Sequence, residues 1–348
     1  MKNLMSRLLS CMVRSTFAAG MLTAASHASA GAESPPLKAL TVLGFEGAFN
    51  LPVWIAQKNG YFERQGLTVK LEYPKGSVEL VDRLQANTGQ LALTSVDNVI
   101  AYASGQGETD SGMAADLVAF MGGDHGLLSL VARPEVRTVA GLERRSVAVD
   151  AMTTGFAFVA QELLASAGLQ ADAVDWLAAG GTGSRYRALV AGKFDATLLR
   201  PPFEYLAERQ GFRVLMRAQS VLPKYLGTVG AVRSKWAEEH AAELEGFVTA
   251  YHQALNWFAQ PGNREAALVL LITNFPELRA DDARRVYDDL RNPAHGLIST
   301  LEIDPDELAT VQRLRAKRTN AQVRNGATPP VDLTYLRRAQ ARADWQSF

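Results

Sequence analysis

Ala39-Leu40-Thr41-Val42-Leu43-Gly44-Phe45-Glu46-Gly47-Ala48-Phe49-Asn50-Leu51-Pro52-Val53-Trp54-Ile55-Ala56 is the stretch from which the rest of the chain can be read. Residues 39–45 are almost wholly apolar, the pattern of a short strand buried on both faces. A Gly-rich turn, 44–47, follows. Asn50 is placed as a helix N-cap, and Pro52 lies in the first turn, where its missing N–H costs nothing. The helix is expected to reach about Asn59, with Gly60 taking the left-handed closing position. Beyond it, residues 67–73 alternate as a strand and Pro74-Lys75-Gly76 turns the chain. Ser77 starts a helix to Gln85, and 91–93 is another short apolar strand. Strands alternating with helices are the grammar of an α/β sheet.

The grammar resumes further on. Residues 146–149 read as a strand, and Thr153-Thr154 opens a helix to Ala167 that Gly168 closes. Residues 174–177 form a strand, 180–183 a Gly-rich loop, 186–191 a helix and 196–199 a strand. Pro201-Pro202 opens a further helix, and 212–215 is a last strand. There is also an internal echo: Leu84-Gln85-Ala86-Asn87 leads to Leu91-Ala92-Leu93-Thr94-Ser95, as Leu189-Val190-Ala191-Gly192 leads to Thr197-Leu198-Leu199-Arg200. Two similar α/β lobes are expected. From about Ser234 the chain turns to helical spacing, at 242–258, 264–273, 281–290 and 305–317. Residues 331–335 precede a final helical piece, and 105–112 are polar and loop-like.

The 348 residues carry 36 basic and 36 acidic side chains, and 47% are hydrophobic. A balanced charge argues against a nucleic-acid footprint, and the length buries a core without disulfides. The single Cys11 permits neither an intramolecular disulfide nor a Cys-rich metal site. Lys2, Arg7 and Arg14 precede a small apolar stretch, 16–25, and Ala28-Ser29-Ala30 has the form a signal peptidase accepts. Residues 1–30 are therefore expected to be a secretory signal, too short in its apolar part to span a bilayer. Its removal takes away the cysteine and leaves acidic side chains in slight excess.

No nucleophile elbow, metalloprotease helix or phosphate-binding loop is present, and Gly181-Thr182-Gly183 lacks the third glycine of a dinucleotide fingerprint. No catalytic residue, metal or cofactor is expected. What the chain offers is polar residues where strands end and helices begin. There, backbone N–H groups and the helix dipole face the crevice of an open sheet. In the first half these are Phe45, Phe49 and Asn50, then Lys75, Gly76 and Ser77, then Thr94 and Ser95. In the second they are Met152, Thr153, Thr154 and Gly155, then Gly181 and Thr182, then Arg200. For each hydroxyl the plain alternative is an ordinary cap. Arg200, at a strand end before Pro201-Pro202, has a fork suited to a carboxylate or sulfonate, or to an acid of the chain itself. Phe45 and Phe49 suggest an aromatic wall, with Trp54 assigned to the core. Asp124, followed by His125 and Gly126, lies where the chain is expected to leave the first lobe.

Leu51-Pro52-Val53-Trp54-Ile55-Ala56, Asn59-Gly60-Tyr61-Phe62 and Gln65-Gly66-Leu67-Thr68-Val69 resemble the substrate-binding proteins of nitrate/sulfonate/taurine-type ABC importers, a group sharing its fold with NMT1/THI5-type thiamine-pyrimidine synthases. Gly192-Lys193-Phe194-Asp195-Ala196, Pro201-Pro202-Phe203 and Val331-Asp332-Leu333 with Tyr335 extend the resemblance over about 38–340. It implies a type II periplasmic-binding-protein fold, two Rossmann-like lobes closing on a ligand like a Venus flytrap. The chain would cross near Arg133 and return near Tyr225, giving lobe 1 from 38–132 plus 226–348 and lobe 2 from 133–225. It also implies a monomeric periplasmic protein that hands a small solute, expected to be an organic anion, to an inner-membrane permease. The synthase branch carries a cysteine-rich motif that this chain lacks. Two alternatives remain open on the residues: a secreted enzyme using Asp124 and His125 as acid and base, and a subunit presenting ligand to a sensor.

Overall fold

The computed structural model describes residues 36–108, 114–319, 330–342 and 345. The expected signal segment, 1–30, and Cys11 lie outside them. Residues 36–348 form one compact unit. The first run of elements is β1 (Lys38–Leu43), α1 (Leu51–Lys58), α2 (Tyr61–Arg64), β2 (Leu67–Glu72), α3 (Ser77–Gln85), β3 (Leu91–Ser95), α4 (Val96–Ala103) and β4 (Val118–Gly122). The second is β5 (Ser129–Ala132), β6 (Ser146–Val149), α5 (Gly155–Ser166), β7 (Asp175–Ala178), α6 (Thr182–Val190), β8 (Ala196–Leu199), α7 (Phe203–Glu208) and β9 (Arg213–Arg217). The chain then adds β10 (Thr228–Val232) and six helices: α8 (Ser234–Glu239), α9 (Ala241–Ala259), α10 (Arg264–Asn274), α11 (Ala280–Arg291), α12 (Pro305–Thr319) and α13 (Thr334–Gln340).

Two five-stranded sheets result, ordered β2-β1-β3-β10-β4 and β7-β6-β8-β5-β9. In each, three parallel strands are joined by two further ones through antiparallel pairing. In each, the fourth strand in the order is the first one formed after the chain has passed from the other sheet. The α/β, two-lobed expectation is met. The passages occupy residues 123–128 and 218–227. The first lies just ahead of the expected Arg133, so β5 already belongs to the second sheet; the second contains Tyr225. Strands β4, β5 and β10 did not stand out in the sequence. They are almost entirely buried apolar runs, so they show no alternation to mark them.

The opening stretch folds nearly as read. Helix α1 buries its first six residues, and Gly60 closes it with φ 68°. Trp54 is in the core, edge-on to Phe275 at 5.9 Å. The long helix α9 covers this face, stacking Phe247 on Phe62 at 5.4 Å. The Gly-rich loop after β7 is shorter than expected, because α6 already begins at Thr182. Val331 bridges to Ala119, and α13 packs on α9. No described helix is long and apolar enough to cross a membrane.

Candidate functional site

The two sheets face one another with their strand-end loops in direct contact. Gly181 N–H donates to the Lys75 carbonyl at 3.0 Å, and Ala48 N–H to the Pro201 carbonyl at 2.8 Å. Phe45 lies against Gly181. The Glu46 carboxylate sits over the first turn of α6, where the helix dipole favours an anion, and pairs with Arg187 Nη1 at 2.9 Å. Across the cleft, Gly155 at the start of α5 is pressed against the Asp97 side chain, so closely that a β-carbon there would overlap it. The lobes are shut upon one another.

Arg200 stands at the end of β8 with only 3% of its surface exposed. Its Nη2 donates to Asp124 Oδ2 at 2.6 Å and its Nη1 to Thr228 Oγ1 at 2.9 Å. The guanidinium lies over the Phe49 ring, 3.8 Å from its centre. Asp124 Oδ1 accepts from the N–H groups of Gly126 and Thr228. The fork expected for a solute therefore already holds an acid of the chain. It joins the end of a lobe 2 strand to the passage after β4 and to the start of β10. Its Nε remains buried without a partner.

A second group of buried polar side chains lies beside this pair. Asp97, in the first turn of α4, is fully buried; its Oδ2 accepts from Arg315 Nη1 of α12 at 2.7 Å, and its Oδ1 has no partner. Burial pushes its carboxyl up to about 7, against the pull of Arg315, with Asp150 adding to the rise. Asn98 donates its amide to Thr94 Oγ1 at 3.0 Å and leaves its Oδ1 unpartnered. Asp150, in the loop after β6, accepts from the Thr154 hydroxyl at 2.7 Å, and desolvation raises it too. Arg185 is buried but donates to the carbonyls of Gly180 and Leu198. Tyr225, on the second passage, has a buried hydroxyl without a partner. Burial, then the charges of Asp97 and Asp150, hold that hydroxyl far above its ordinary pKa.

The residues singled out in the sequence fall into three groups. Phe45, Phe49, Asn50, Lys75, Gly181, Asp124 and Arg200 lie at the junction of the lobes, Lys75 through its carbonyl and not its ammonium. Thr94, Ser95, Thr154 and Gly155 flank Asp97 and Asp150. The others turn their side chains elsewhere. Met152 is 38% exposed, the Thr153 hydroxyl donates to Glu108, Ser77 accepts from Tyr102, and Thr182 accepts from Arg185. Gly76 takes the N-cap position of α3 in extended backbone.

Two capping expectations need correction. Asn50 precedes α1 but makes no cap bond; its amide donates to the Phe45 and Gly47 carbonyls and so fixes the loop. Thr154 precedes α5 but spends its hydroxyl on Asp150 and the Ala151 carbonyl. Ser95 does cap, accepting from Asp97 N–H. Asp97, Asn98, Asp150, Tyr225 and Arg315 escaped the sequence reading as site residues. Asp97 and Asn98 follow directly on the Thr94-Ser95 strand end and were within reach of the same rule. Arg315 arrives from a helix more than two hundred residues away, and nothing local announces it. Asp124 and His125 diverge: His125 Nδ1 lies 2.8 Å from Glu307. Burial opposes its charge, but the Glu307 carboxylate outweighs this and raises its pKa. The two side chains do not form an acid–base pair.

Solved structures share this arrangement. The alkanesulfonate-binding protein SsuA from Xanthomonas axonopodis pv. citri, bound to MOPS, superposes with a TM-score of 0.68 at 15% identity, covering 86% of this chain and 99% of that one. The periplasmic nitrate-binding protein NrtA from Synechocystis PCC 6803 gives 0.71 at 11% identity, covering 87% and 88%. A desulfurization enzyme, DSZB, gives 0.58 at 13% identity, covering 87% and 98%. At such identities the likeness establishes the periplasmic-binding-protein fold. The sequence has no detectable relative among curated proteins. Residues 50–263, from the loop at Asn50 through both passages to the turn before α10, match the model of the NMT1/THI5-like family, and the chain belongs to that family.

Proposed function

We propose that this chain is the solute-binding component of an importer. It would capture a small polar organic solute between its two lobes and present the closed form to a permease in the inner membrane. The observation that carries this reading is the set of unpartnered polar atoms buried where the lobes meet: Arg200 Nε, Tyr225 Oη, Asp97 Oδ1, Asn98 Oδ1 and Asn50 Oδ1. Leaving a buried polar atom unsatisfied costs about 1–3 kcal/mol, a cost that a bound solute removes. The fold's SsuA and NrtA neighbours, by name alkanesulfonate- and nitrate-binding, support a binding role, and so does family membership. The moving bodies, expected from the sequence as 38–132 plus 226–348 and as 133–225, are taken with β5 in the second, so that they meet at 123–128 and 218–227. The protein is placed in the periplasm as a monomer, exported by the segment 1–30, with no reaction assigned to it.

The test is a thermal-melt screen of protein stripped of solute by unfolding and refolding. The panel holds sulfonates, carboxylates, aromatic acids, pyrimidines and amines. A solute at 100 times its Kd stabilises by about 2.7 kcal/mol, enough to read directly. A saturable rise for one chemical class is the expected result. A flat panel, or turnover of a solute by the protein, overturns the reading. One observation keeps an enzyme in view, namely the fold shared with DSZB. Product analysis on the same samples decides it.

A further inference from the structure

Helix α7 starts almost directly after Arg200, and the Phe203 N–H donates back to the Arg200 carbonyl at 2.9 Å. Its side chains do not stay in lobe 2. Phe203 lies edge-on to Phe275, just past the end of α10, with ring centres 5.6 Å apart. The Tyr205 hydroxyl, from a buried side chain, donates to Asp289 Oδ2 of α11. Burial, then the carboxylates around it, keep the proton on that hydroxyl, so it remains the donor. The Arg285 guanidinium of α11 lies over the Tyr205 ring, 4.1 Å from its centre, and donates to Glu208 at 2.8 Å. Arg209 donates to Asp282 of α11 at 3.0 Å. Acid and base at the end of α7, Glu208 and Arg209, thus meet base and acid on α11, Arg285 and Asp282. Each of these polar side chains finds its partner inside the protein, unlike the atoms left open at the cleft.

We propose that α7 and α11 form a latch between the lobes, a side-chain contact outside the cleft that biases the protein toward its shut form with or without solute. Opening has to break the Tyr205–Asp289 bond, uncover Phe203 and part Arg285 from Glu208. The bond to a carboxylate beside a buried ring is the strong member, because water is excluded there. The Arg285–Glu208 pair is part-exposed and acts through its place in the four-charge set. The links run through side chains, so they can part without disturbing the core of either lobe. Arg200 and Tyr205 sit on one short stretch of chain. A lobe 2 that swings away therefore takes Arg200 from Asp124 and Tyr205 from Asp289 in one movement, and the latch sets how much closing free energy a solute has to add.

The experiment is small-angle scattering on solute-stripped protein, with melting temperature read on the same samples. Tyr205→Phe removes only the hydroxyl. Arg285→Glu sets an acid against Glu208, and Glu208→Arg combined with Arg285→Glu restores opposite charges across the gap. Each single variant is expected to enlarge the radius of gyration, through an open-to-shut ratio raised at least about 5-fold, the lower end of couplings between sites. The double reversal is expected to return the radius to the wild-type value. If Arg285→Glu does not fold, Tyr205→Phe carries the test. A radius unchanged in the single variants, even with a lowered melting temperature, makes the contact a structural brace and overturns the latch. A double reversal that folds but stays enlarged overturns it too. No solute enters the measurement, so a flat solute panel would overturn the solute-binding reading without touching this one.

Discussion

Arg200 illustrates how little a single residue decides on its own. Its place at a strand end was plain in the sequence, but its partner was not, because Asp124 lies 76 positions away. Removing one member of a buried ion pair strands the other charge, at a cost of about 3–5 kcal/mol. Asp124→Asn should therefore lower stability by about that amount in urea unfolding, and replacing both residues with apolar ones should recover much of it. Glu204 makes a second prediction. It is buried at the start of α7, and desolvation, with Asp289 nearby, pushes its carboxyl up to about 8. A folded-state pKa above the unfolded value means the proton is favoured in the fold. Stability from Glu204 is thus complete at low pH and is lost as pH rises from about 4.5 to about 8. The Gln variant cannot ionise. Its stability relative to wild type should grow by a few kcal/mol between pH 5 and pH 8, measured by urea melts at each pH.

At the scale of elements, α12 and the start of α5 matter most. Helix α12 belongs to the C-terminal helices yet reaches the cleft with Arg315 and the outer face of α5 with Lys317 and Arg318, which pair with Glu162. These contacts differ in depth. Arg315→Met should cost about 3 kcal/mol by uncovering buried Asp97, whereas Glu162→Gln, at a partly exposed site, should cost less than about 1 kcal/mol in the same unfolding assay. Gly155 is where α5 meets Asp97, with no room for a β-carbon. Gly155→Ala should hold the lobes apart. It is expected to weaken solute binding at least 10-fold in calorimetry while leaving the melting temperature of the solute-free protein within a few degrees.

For the whole molecule, the two sheets with matching strand order form a pair of similar bodies joined by two short passages, residues 123–128 and 218–227. The bonds between the two bodies include the buried Arg200–Asp124 pair and Tyr205 to Asp289, and, nearer the surface, Arg285 to Glu208, Glu162 to Arg318 and Glu46 to Arg187. The Glu46–Arg187 pair is solvent-exposed and contributes little. Small-angle scattering should show a smaller radius of gyration when the tightest solute is added, and Gly155→Ala should abolish the change. An unchanged radius would mean that the lobes do not open.

The sequence by itself determined the local alternation of strand and helix, the repeated lobe, the turn at Gly60 and the crevice-side position of Phe45, Phe49, Gly181 and Arg200. These follow from apolar spacing and from Gly and Pro placement, which act over a few residues. Only the tertiary structure decided the rest. Strands β4, β5 and β10 are short runs buried on both faces, legible only once paired. Thr154 looked like a cap and became an Asp150 partner, because a buried carboxylate needs a hydrogen-bond donor. Arg315 and Tyr225 reached the site from distant elements. Buried charges must find opposite partners wherever the fold brings them, and sequence spacing does not record that pairing.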